Sequence, residues 1–439
     1  MSAERPLADR DVWRIAAPMI LSNVSVPLLG MVDTGVTGHL ESPVYLGAVA
    51  IGATIFGFLY SGMNFLRMGT TGIAAQRFGA SDYDGLRVSL GQAVIVALLI
   101  ATALVALQAP IASIALRLIG GEADVQAFAL EYFSIRIWSA PGTLVNYVLI
   151  GWFLGLQNAR VPLLIFLTIN ITNIVLDLLF VLVLGMKVDG VALASVIAEY
   201  SGLLVALFYV ARALRKHTGQ WPLARLLRVR AYGAYFAVNA NLLIRTMALM
   251  FTFAFVTAQG ARLGGLILAA NAILMNIQLL TSMALDGFAH AAEALVGKAI
   301  GQQNRDALQH SVRLCLKWSL YFAAGLFLLY LTFGPLMIRM LTDLDDVRET
   351  AIRYLPWLIL SPLVSVWSFL YDGVYVGATR AREMRDIMLF SSIAVFLPAW
   401  FLLQGLGNHG LWLAFTLFMA SRGIGMLVGY RRRVLPAVA

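Results

Sequence analysis

An acidic residue lies inside the first long apolar segment of the chain. Asp33 is near the far end of the segment from Trp13 to Gly38, which is long enough to cross a membrane as a helix. A carboxylate at such a depth usually marks an ion or substrate pathway, because a charge inside the bilayer is costly. Desolvation disfavours the charged form of a carboxyl group, so Asp33 is a candidate for loading protons near physiological pH. In the alternative interpretation, Asp33 pairs with a buried cation and only holds helices together.

Two prolines interrupt the same segment. Pro18 and Pro27 each remove one backbone hydrogen bond, to the carbonyl groups of Arg14 and Asn23. The first helix is therefore expected to bend more readily than a helix without proline. A chargeable group on a bendable membrane helix is the combination that an ion-driven transporter requires.

A second carboxylate is predicted inside a later apolar segment. Asp177 follows Asn173 by four residues, so both side chains lie on one helix face and would present a carboxylate and an amide to one cavity. Asn146, in the preceding segment, is a further candidate for this network and for binding substrate. Isolated Asn and Ser residues in membrane helices also commonly hydrogen-bond to a neighbouring helix. In the alternative interpretation, neighbouring hydroxyl groups fix Asp177, which then does not titrate.

Charged residues also occur inside the apolar segments of the second half. Arg245 is expected to pair with Asp372 or Asp286, and such a pair would be structural. His290 and Glu293 lie near the predicted end of their segment, so we expect both on a solvated face.

The composition is that of an integral membrane protein. Of 439 residues, 60% are hydrophobic and 13% are charged, whereas soluble domains contain about 25% charged residues. The net charge of +9 does not require a nucleic-acid partner, since basic cytoplasmic loops produce the same excess. The single Cys315 excludes an intrachain disulfide, and the scattered His residues argue against a zinc or haem site. We expect no cofactor and no metal.

Apolar runs bounded by charges, Gly and Pro predict twelve membrane-spanning helices. Most Lys and Arg residues then fall on one side, together with both termini, and the positively charged side is the cytoplasmic one. The longest linker, Arg212–Arg230, separates two predicted domains, 1–217 and 218–439. The predicted spans are 13–38, 45–66, 88–108, 124–150, 161–184, 190–211, 232–257, 264–290, 311–333, 350–377, 386–404 and 409–430.

The two halves resemble each other at nearly one offset in sequence number. Two segment pairs align at an offset of 222 (296 − 74 and 373 − 151) and a third at 220 (404 − 184), each at the same place relative to its helices. Six helices per half give both halves the same orientation. We therefore expect an all-α fold of two six-helix bundles, related by a pseudo-twofold axis along the membrane normal, with a substrate route between them. The pairs are Ala74–Leu86 with Val296–Leu308, Gly151–Arg160 with Gly373–Arg382, and Leu184–Ala194 with Gln404–Ala414.

Three segments resemble a known transporter family. In APMILSNVSVPLLGMVDTGVTGHLES, Pro18 precedes Asp33 by fifteen residues, which is similar to the first-helix signature of multidrug and toxic compound extrusion (MATE) transporters. FLRMGTTGIAAQRFGA (Phe65–Ala80) and LDGFAHAAEALVGKAIGQ (Leu285–Gln302) resemble the DNA-damage-inducible (DinF) branch of that family. With the topology and the repeat, the resemblance covers nearly the whole chain. It implies a V-shaped pair of six-helix bundles that exports cationic, amphipathic compounds against an inward flow of H⁺ or Na⁺.

The resemblance also implies roles for residues of the first half. Asp33 matches the protonation site of the family on the first helix. Asn173 and Asp177 match a pair on the fifth helix that lies close to it, so the two carboxylates would titrate as a coupled pair. Ser195 matches a hydroxyl position on the sixth helix, and is a candidate substrate contact together with Asn146.

In the second half, the resemblance is less complete. Asp372 matches a carboxylate position of the Na⁺-linked (NorM) branch, which also tends to have a Glu on the seventh helix. Here the nearest charge in that span is Arg245. A buried guanidinium is positively charged and cannot coordinate a cation, so this departure argues against a Na⁺ site in the second half.

These observations predict a secondary active multidrug exporter that exchanges a cationic substrate for H⁺, or alternatively for Na⁺. Protonation of Asp33 would remove its charge, the first helix would bend near Pro18, and the cavity of the first half would shrink and release the substrate. The main rival is a lipid-linked precursor flippase of the same superfamily, which would need clustered cations to hold a pyrophosphate.

A membrane-embedded enzyme is not expected. Hydrolysis by serine or by a metal would need a Ser–His pair, an Asp pair or a His cluster within the membrane helices. His39 and His217 lie in predicted loops and His310 and His409 at span ends, which leaves His290 inside a span. We expect a monomer in a bacterial inner membrane, with the lipid bilayer and small molecules as its partners and no nucleic acid.

Overall fold

The computed structural model describes residues 7–38, 42–226, 228 and 232–438, without the side chains of residues 26–29, 31, 33, 34, 37, 223 and 234. Over these residues the chain is helical and contains no strand, which confirms the predicted all-α class. The α-helices are α1 (Asp9–Thr37), α2 (Pro43–Met63), α3 (Phe65–Gly79), α4 (Tyr83–Ala106), α5 (Gln108–Ile119), α6 (Ala123–Arg136), α7 (Ala140–Gly155), α8 (Arg160–Asp177), α9 (Val188–Lys216), α10 (Leu223–Leu226), α11 (Tyr232–Arg262), α12 (Gly265–Gly301), α13 (Arg305–Leu341), α14 (Asp345–Gly377), α15 (Ala381–Leu389), α16 (Leu397–Leu403) and α17 (Asn408–Gly429).

Twelve helical stretches are long enough to cross a membrane. Within the described residues, eleven have both the length and the apolar composition, and α1, with 29 residues, has the length. Some stretches join two or more helices, for example α2 with α3 on either side of Asn64. Several helices continue past the predicted apolar runs. α12 ends at Gly301 rather than near residue 290, because a helix keeps its backbone hydrogen bonds where its residues become polar.

By their internal contacts the described residues form two compact units. The N-terminal unit is Leu21–Gly233, and the C-terminal unit combines Met1–Ile20 with Ala234–Ala439. α1 therefore begins in the C-terminal unit and continues in the N-terminal unit, and the change falls two residues after Pro18. The division into domains 1–217 and 218–439 stays a prediction.

The backbone confirms the internal repeat. Among the described residues, four that are not glycine have positive φ, namely Ser81, Gln157, Gln303 and Thr379, and they form two pairs at the offset of 222 (303 − 81 and 379 − 157). Each follows a helix end and donates its N–H to the carbonyl three residues earlier, at 3.1, 2.8, 2.9 and 2.9 Å. Left-handed backbone is disfavoured for residues with a Cβ. Its recurrence at one offset is therefore a property of the repeat.

The third predicted alignment also has a backbone explanation. Gly185 and Gly407 have positive φ and are related by the offset of 222 (407 − 185). The helices that follow begin at Val188 and Asn408, which are related by an offset of 220 (408 − 188). The second loop is therefore shorter by two residues, which accounts for the predicted offset of 220.

Glycines allow two helices to touch closely inside each unit. In the N-terminal unit α7 packs on α3, and a Cβ at Gly151 would collide with the carbonyl oxygen of Arg67. In the C-terminal unit α14 packs on α12, and a Cβ at Gly373 would collide with the carbonyl oxygen of Ala289. The glycines (373 − 151) and their partners (289 − 67) are again related by the offset of 222. Such backbone approach is how small residues stabilise membrane helix pairs.

The start of α1 is anchored to α12 and α13 in the C-terminal unit. The Trp13 ring packs edge-on against Phe288 and Trp318, with centroids 5.3 Å apart in each case. The Asp9 carboxylate, which precedes the apolar segment, accepts hydrogen bonds from Trp318 Nε1 (2.8 Å) and Lys317 Nζ (3.1 Å). These donors, Trp318 first and then Lys317, lower the pKa of Asp9 below its usual value.

Substitution of either close-contact glycine should destabilise its unit. We expect Gly151→Ala and Gly373→Ala each to cost about 1–3 kcal/mol, because the carbonyl oxygen of a packed helix cannot move away from the new methyl group. The measurement is the thermal unfolding midpoint of the purified protein in detergent. Gly325→Ala on α13 is the matched control, since its Cβ would meet no atom within 4 Å. Wild-type stability of Gly373→Ala would contradict the close approach.

The Asp9 contact should depend on pH in acid alone. The folded-state pKa of Asp9 is lowered, so its contribution to stability is present above the unfolded-state value of about 3.9 and is lost as the pH falls through the folded-state pKa. We expect the unfolding midpoints of wild type and Asp9→Asn to differ at about pH 5 and to converge in stronger acid. Convergence near neutral pH would show that another group titrates with this contact.

Candidate functional site

Asp33 and Pro27 belong to α1, and their side chains lie outside the described residues. The preceding turns of α1 are fixed to α8 by polar contacts within the N-terminal unit. Asn170 donates its Nδ2 hydrogen to the Ser25 hydroxyl (2.8 Å), and Ser25 donates to the Ser22 carbonyl (2.6 Å). The second part of α1 is thus tied to the helix that carries Asp177.

Two of the predicted site residues, Asn173 and Ser195, join α8 to α9, and a third, Asp177, lies one turn further along α8. Asn173 Nδ2 donates to Ser195 Oγ at 3.3 Å, which links the two helices. Asn173 and Asp177 share one helix face, and their exposed fractions are 1% and 0%. Asp177 ends α8 immediately before the π-helical turn Leu178–Val183. π-helical turns within longer helices are frequent at functional sites.

Asn146 contacts a carboxylate to which the sequence assigned no role. Its Nδ2 donates to Glu199 Oε2 (3.1 Å) and to the Glu199 carbonyl (2.9 Å). Glu199 follows Ser195 by one turn of α9, so the pairs Asn173–Ser195 and Asn146–Glu199 occupy adjacent levels of one helix face. This four-residue spacing is the sequence signal that identifies Glu199. We call Asn146, Asn173, Asp177, Ser195 and Glu199 the first polar cluster.

A second cluster lies inside the C-terminal unit. Arg245 of α11 and Arg422 of α17 both donate to Asp372 Oδ2, the latter at 2.8 Å. The predicted pairing of Arg245 with Asp372 is confirmed, and Arg422 is an additional partner that the sequence did not identify. All three residues are buried, and Asp286 of α12 interacts electrostatically with Arg422. We call Arg245, Asp372 and Arg422 the second polar cluster.

The expectation of a solvated face for His290 and Glu293 is wrong. Their exposed fractions are 6% and 2%. The apolar run ends near residue 290, but α12 continues to Gly301 and packs on α14, so both side chains are inside the unit. His290 Nδ1 lies 3.3 Å from Glu293 Oε1, one turn along the same helix.

The two clusters differ in what they can bind. In the first polar cluster the groups near the carboxylates are amides and hydroxyls, which suit a proton or an organic cation. In the second, two guanidinium groups already neutralise one carboxylate, so a further cation would meet repulsion. Within the described part of the chain, no group of three or more His, Cys, Asp and Glu residues is placed to hold a metal ion.

A repeat of long apolar helices with buried carboxylates is the architecture of a membrane transporter. The MatE family model matches residues 18–179 and 242–401, which are two copies of the family unit that end at the same offset of 222 (401 − 179). The chain therefore belongs to the MatE family of multidrug and toxin extrusion proteins. Members of this family are transporters, not enzymes, and they bind small molecules within a membrane.

Relatives from bacteria, plants and animals support this assignment. The chain is 42% identical over 425 residues to DNA damage-inducible protein F of Escherichia coli (strain K12). The alignment covers 97% of this chain and 92% of that protein. It is 27% identical over 433 residues to the chloroplastic protein DETOXIFICATION 44 of Arabidopsis thaliana, with coverages of 94% and 80%. It is 24% identical to the human multidrug and toxin extrusion protein 1, with coverages of 94% and 73%.

Solved structures show the same fold. A crystal structure of a MATE protein in complex with MaD3S matches with a TM-score of 0.88 at 19% identity, and covers 98% of this chain and 96% of that one. The Vibrio cholerae MATE transporter VcmN in its bent form matches with a TM-score of 0.87 at 19% identity, with coverages of 98% and 97%.

Removal of the carboxylate from the second polar cluster should destabilise the protein. Asp372→Asn would leave two buried guanidinium groups without their shared partner, and breaking a buried ion pair costs about 3–5 kcal/mol. The double variant Arg245→Gln/Asp372→Asn removes one charge of each sign and should be more stable than Asp372→Asn alone. Thermal unfolding in detergent provides the comparison, with Asp346→Asn, an exposed Asp on α14, as the control. Equal stability of the single and double variants would contradict a structural pair.

Proposed function

We propose that this chain exports cationic, amphipathic organic compounds across a bacterial inner membrane in exchange for H⁺. The observation that carries this proposal is the fully buried Asp177, which lies one turn along α8 from the hydrogen bond between Asn173 and Ser195 in the N-terminal unit. A carboxylate in that environment is a counter-charge for an organic cation when ionised and a proton carrier when neutral. The names of the relatives, which refer to detoxification and to multidrug extrusion, agree with export of such compounds.

The positions of Asp33 and Asp177 along their helices support a shared site. α1 and α8 are the first and fifth spans and run in the same direction if every span crosses the membrane. They are joined at one level by Ser25 and Asn170. Asp33 lies eight residues beyond Ser25, and Asp177 lies seven residues beyond Asn170. At 1.5 Å per residue these distances are about 12 and about 10 Å along the axes, so the backbone positions of the two residues have nearly the same depth.

In the proposed cycle, proton and substrate compete for the same carboxylates. Protonation of Asp33 removes the counter-charge of the bound cation and changes the hydrogen bonds around Asp177. The second part of α1 then moves relative to α8, and the bend falls near Pro18, where the helix lacks one backbone hydrogen bond. Substrate leaves because it loses both its counter-charge and its space.

The alternative coupling ion, Na⁺, has less support. The carboxylate that would serve it in the C-terminal unit is Asp372, which is already held by Arg245 and Arg422. A Na⁺ ion there would face two guanidinium groups. Proton coupling through the N-terminal unit does not require that site.

A lipid-linked precursor flippase is the alternative function. The two buried arginines of the second polar cluster are the observation that favours it, because a phosphate group could replace Asp372 as their partner. Their shared carboxylate opposes it, since it supplies the negative charge that a phosphate would otherwise bring. We therefore propose a cationic substrate in preference to a lipid-linked one. We also propose that both termini lie in the cytoplasm and that the chain acts as a monomer.

The test is efflux of a fluorescent organic cation from proteoliposomes, with pH and Na⁺ gradients imposed separately. We expect transport to follow the pH gradient in the wild type and to fall to the level of protein-free liposomes in Asp33→Asn and Asp177→Asn. Asp124→Asn, an exposed carboxylate at the start of α6, is the matched control and should transport normally.

Three results would contradict the proposal. Full pH-gradient dependence of Asp33→Asn would exclude that residue as the proton carrier. Transport that follows the Na⁺ gradient alone would show that Na⁺, and not H⁺, is the coupling ion. Movement of a polyprenyl diphosphate, without movement of any organic cation, would favour the flippase.

A further inference from the structure

A cavity of about 630 Å³ lies in the C-terminal unit, between α15 and the end of the α17 span. Its apolar part is formed by side chains that face outward, among them Phe390, Ile424 and Val428, which are 62%, 62% and 41% exposed. Its other end is lined by charged residues of the final helical turns. The cavity therefore combines an acyl-chain environment with a headgroup environment along one helix.

Glycines form the floor of this cavity. A Cβ at Gly425 would press on Ile387, and one at Gly429 would collide with the Tyr375 hydroxyl, which donates to the Met426 carbonyl at 3.1 Å. α17 thus approaches α14 and α15 with its bare backbone. π-helical turns lie on both sides of the cavity, at Phe390–Phe396 and Tyr430–Val434.

The charged end carries an excess of arginine. The acidic residues there already have partners, since Glu383 pairs with Arg380 at 3.3 Å and Asp386 pairs with Arg385. Arg432 and Arg433 also line the cavity, and neither guanidinium forms an ion pair within the described residues. Two exposed guanidinium groups at the end of a membrane helix are positioned for a phosphate.

The glycines and the second arginine of this cavity do not recur in the N-terminal unit. At the offset of 220 that relates α17 to α9, Gly425 and Gly429 correspond to Val205 and Tyr209. Side chains thus occupy the positions that are bare in α17. Arg432 has a basic counterpart in α9, Arg212. Arg433 corresponds to Ala213 and has none.

We propose that this cavity binds an anionic phospholipid, with its phosphate on Arg432 and Arg433 and one acyl chain between Phe390 and Val428. Charge selects the class of lipid. The carboxylates are neutralised by neighbouring arginines, so the cavity has net positive charge and favours an anionic headgroup over a zwitterionic one. The bound lipid would lie against the cavity lining that includes Gly425 and Gly429, and would hold the ends of α15 and α17 together.

The experiment is native mass spectrometry of the purified full chain in detergent, titrated with dioleoyl phosphatidylglycerol. We expect the wild type to retain one lipid more tightly than dioleoyl phosphatidylcholine, and Arg432→Gln/Arg433→Gln to weaken that binding by roughly tenfold or more. Val428→Trp, which fills the apolar part from its exposed wall without changing the charge, should weaken it as well. Arg212→Gln/Arg215→Gln removes the same charge from the exposed end of α9 and should bind the lipid like the wild type.

Several results would overturn this proposal. Equal loss in the two double-arginine variants would indicate diffuse surface attraction, and wild-type binding by Val428→Trp would exclude the acyl chain from the cavity. Glycerophosphoglycerol or inorganic phosphate bound as tightly as the lipid would make this a free phosphate site. Each variant must elute as a single species with a wild-type unfolding midpoint. If Val428→Trp fails this control, Val428→Thr is the second variant that changes the apolar wall.

Discussion

A charge buried in a membrane bundle must be compensated from within that bundle, because lipid supplies neither water nor counter-ions. The second polar cluster meets this constraint with guanidinium groups around Asp372, which can serve the ionised carboxylate but not the protonated one. In the first polar cluster, Asn146 donates to Glu199, and Asn173, which is bonded to Ser195, lies one helical turn from Asp177. Amides and hydroxyls can donate or accept, so they can serve both protonation states. The exchange of protons is therefore easier to accommodate in the N-terminal unit.

The repeat separates what the fold requires from what function requires. The close helix contacts at Gly151 and Gly373 recur at one offset, as do the left-handed residues at the helix ends. The side chains beside these contacts do not recur. Asp372 corresponds to Ile150, and the glycines under the cavity of α17 correspond to bulkier residues in α9. Two copies of one scaffold have thus acquired different chemistry, one suited to a proton and a cation, the other to a fixed ion pair.

Much of the fold follows from the sequence, because a membrane helix must be apolar over a fixed length and a repeat leaves local signals. The candidate site can be predicted from the sequence only in part. Asn173 and Asp177 could be placed on one face by their spacing, and Arg245 with Asp372 by the need to pair a buried charge. Glu199 and Arg422 were not assigned: the spacing of Glu199 from Ser195 was the one available signal for the first, and Arg422 joins a pair that already balanced one charge of each sign. His290 and Glu293 were misplaced because hydropathy reports where apolar residues end, whereas packing extends further.

α1 is the element through which the two units share one helix. Its start is anchored by Trp13 and Asp9 to α12 and α13, and its second part is tied to α8 through Ser25. Between these two anchored parts lies Pro18, where a backbone hydrogen bond is missing. If the contacts of the second part change, the first part stays in place, so the deformation concentrates at the weakest point between them. The proposed bend near Pro18 would lie between the two anchored parts, and it would need no rearrangement of the ion pair around Asp372.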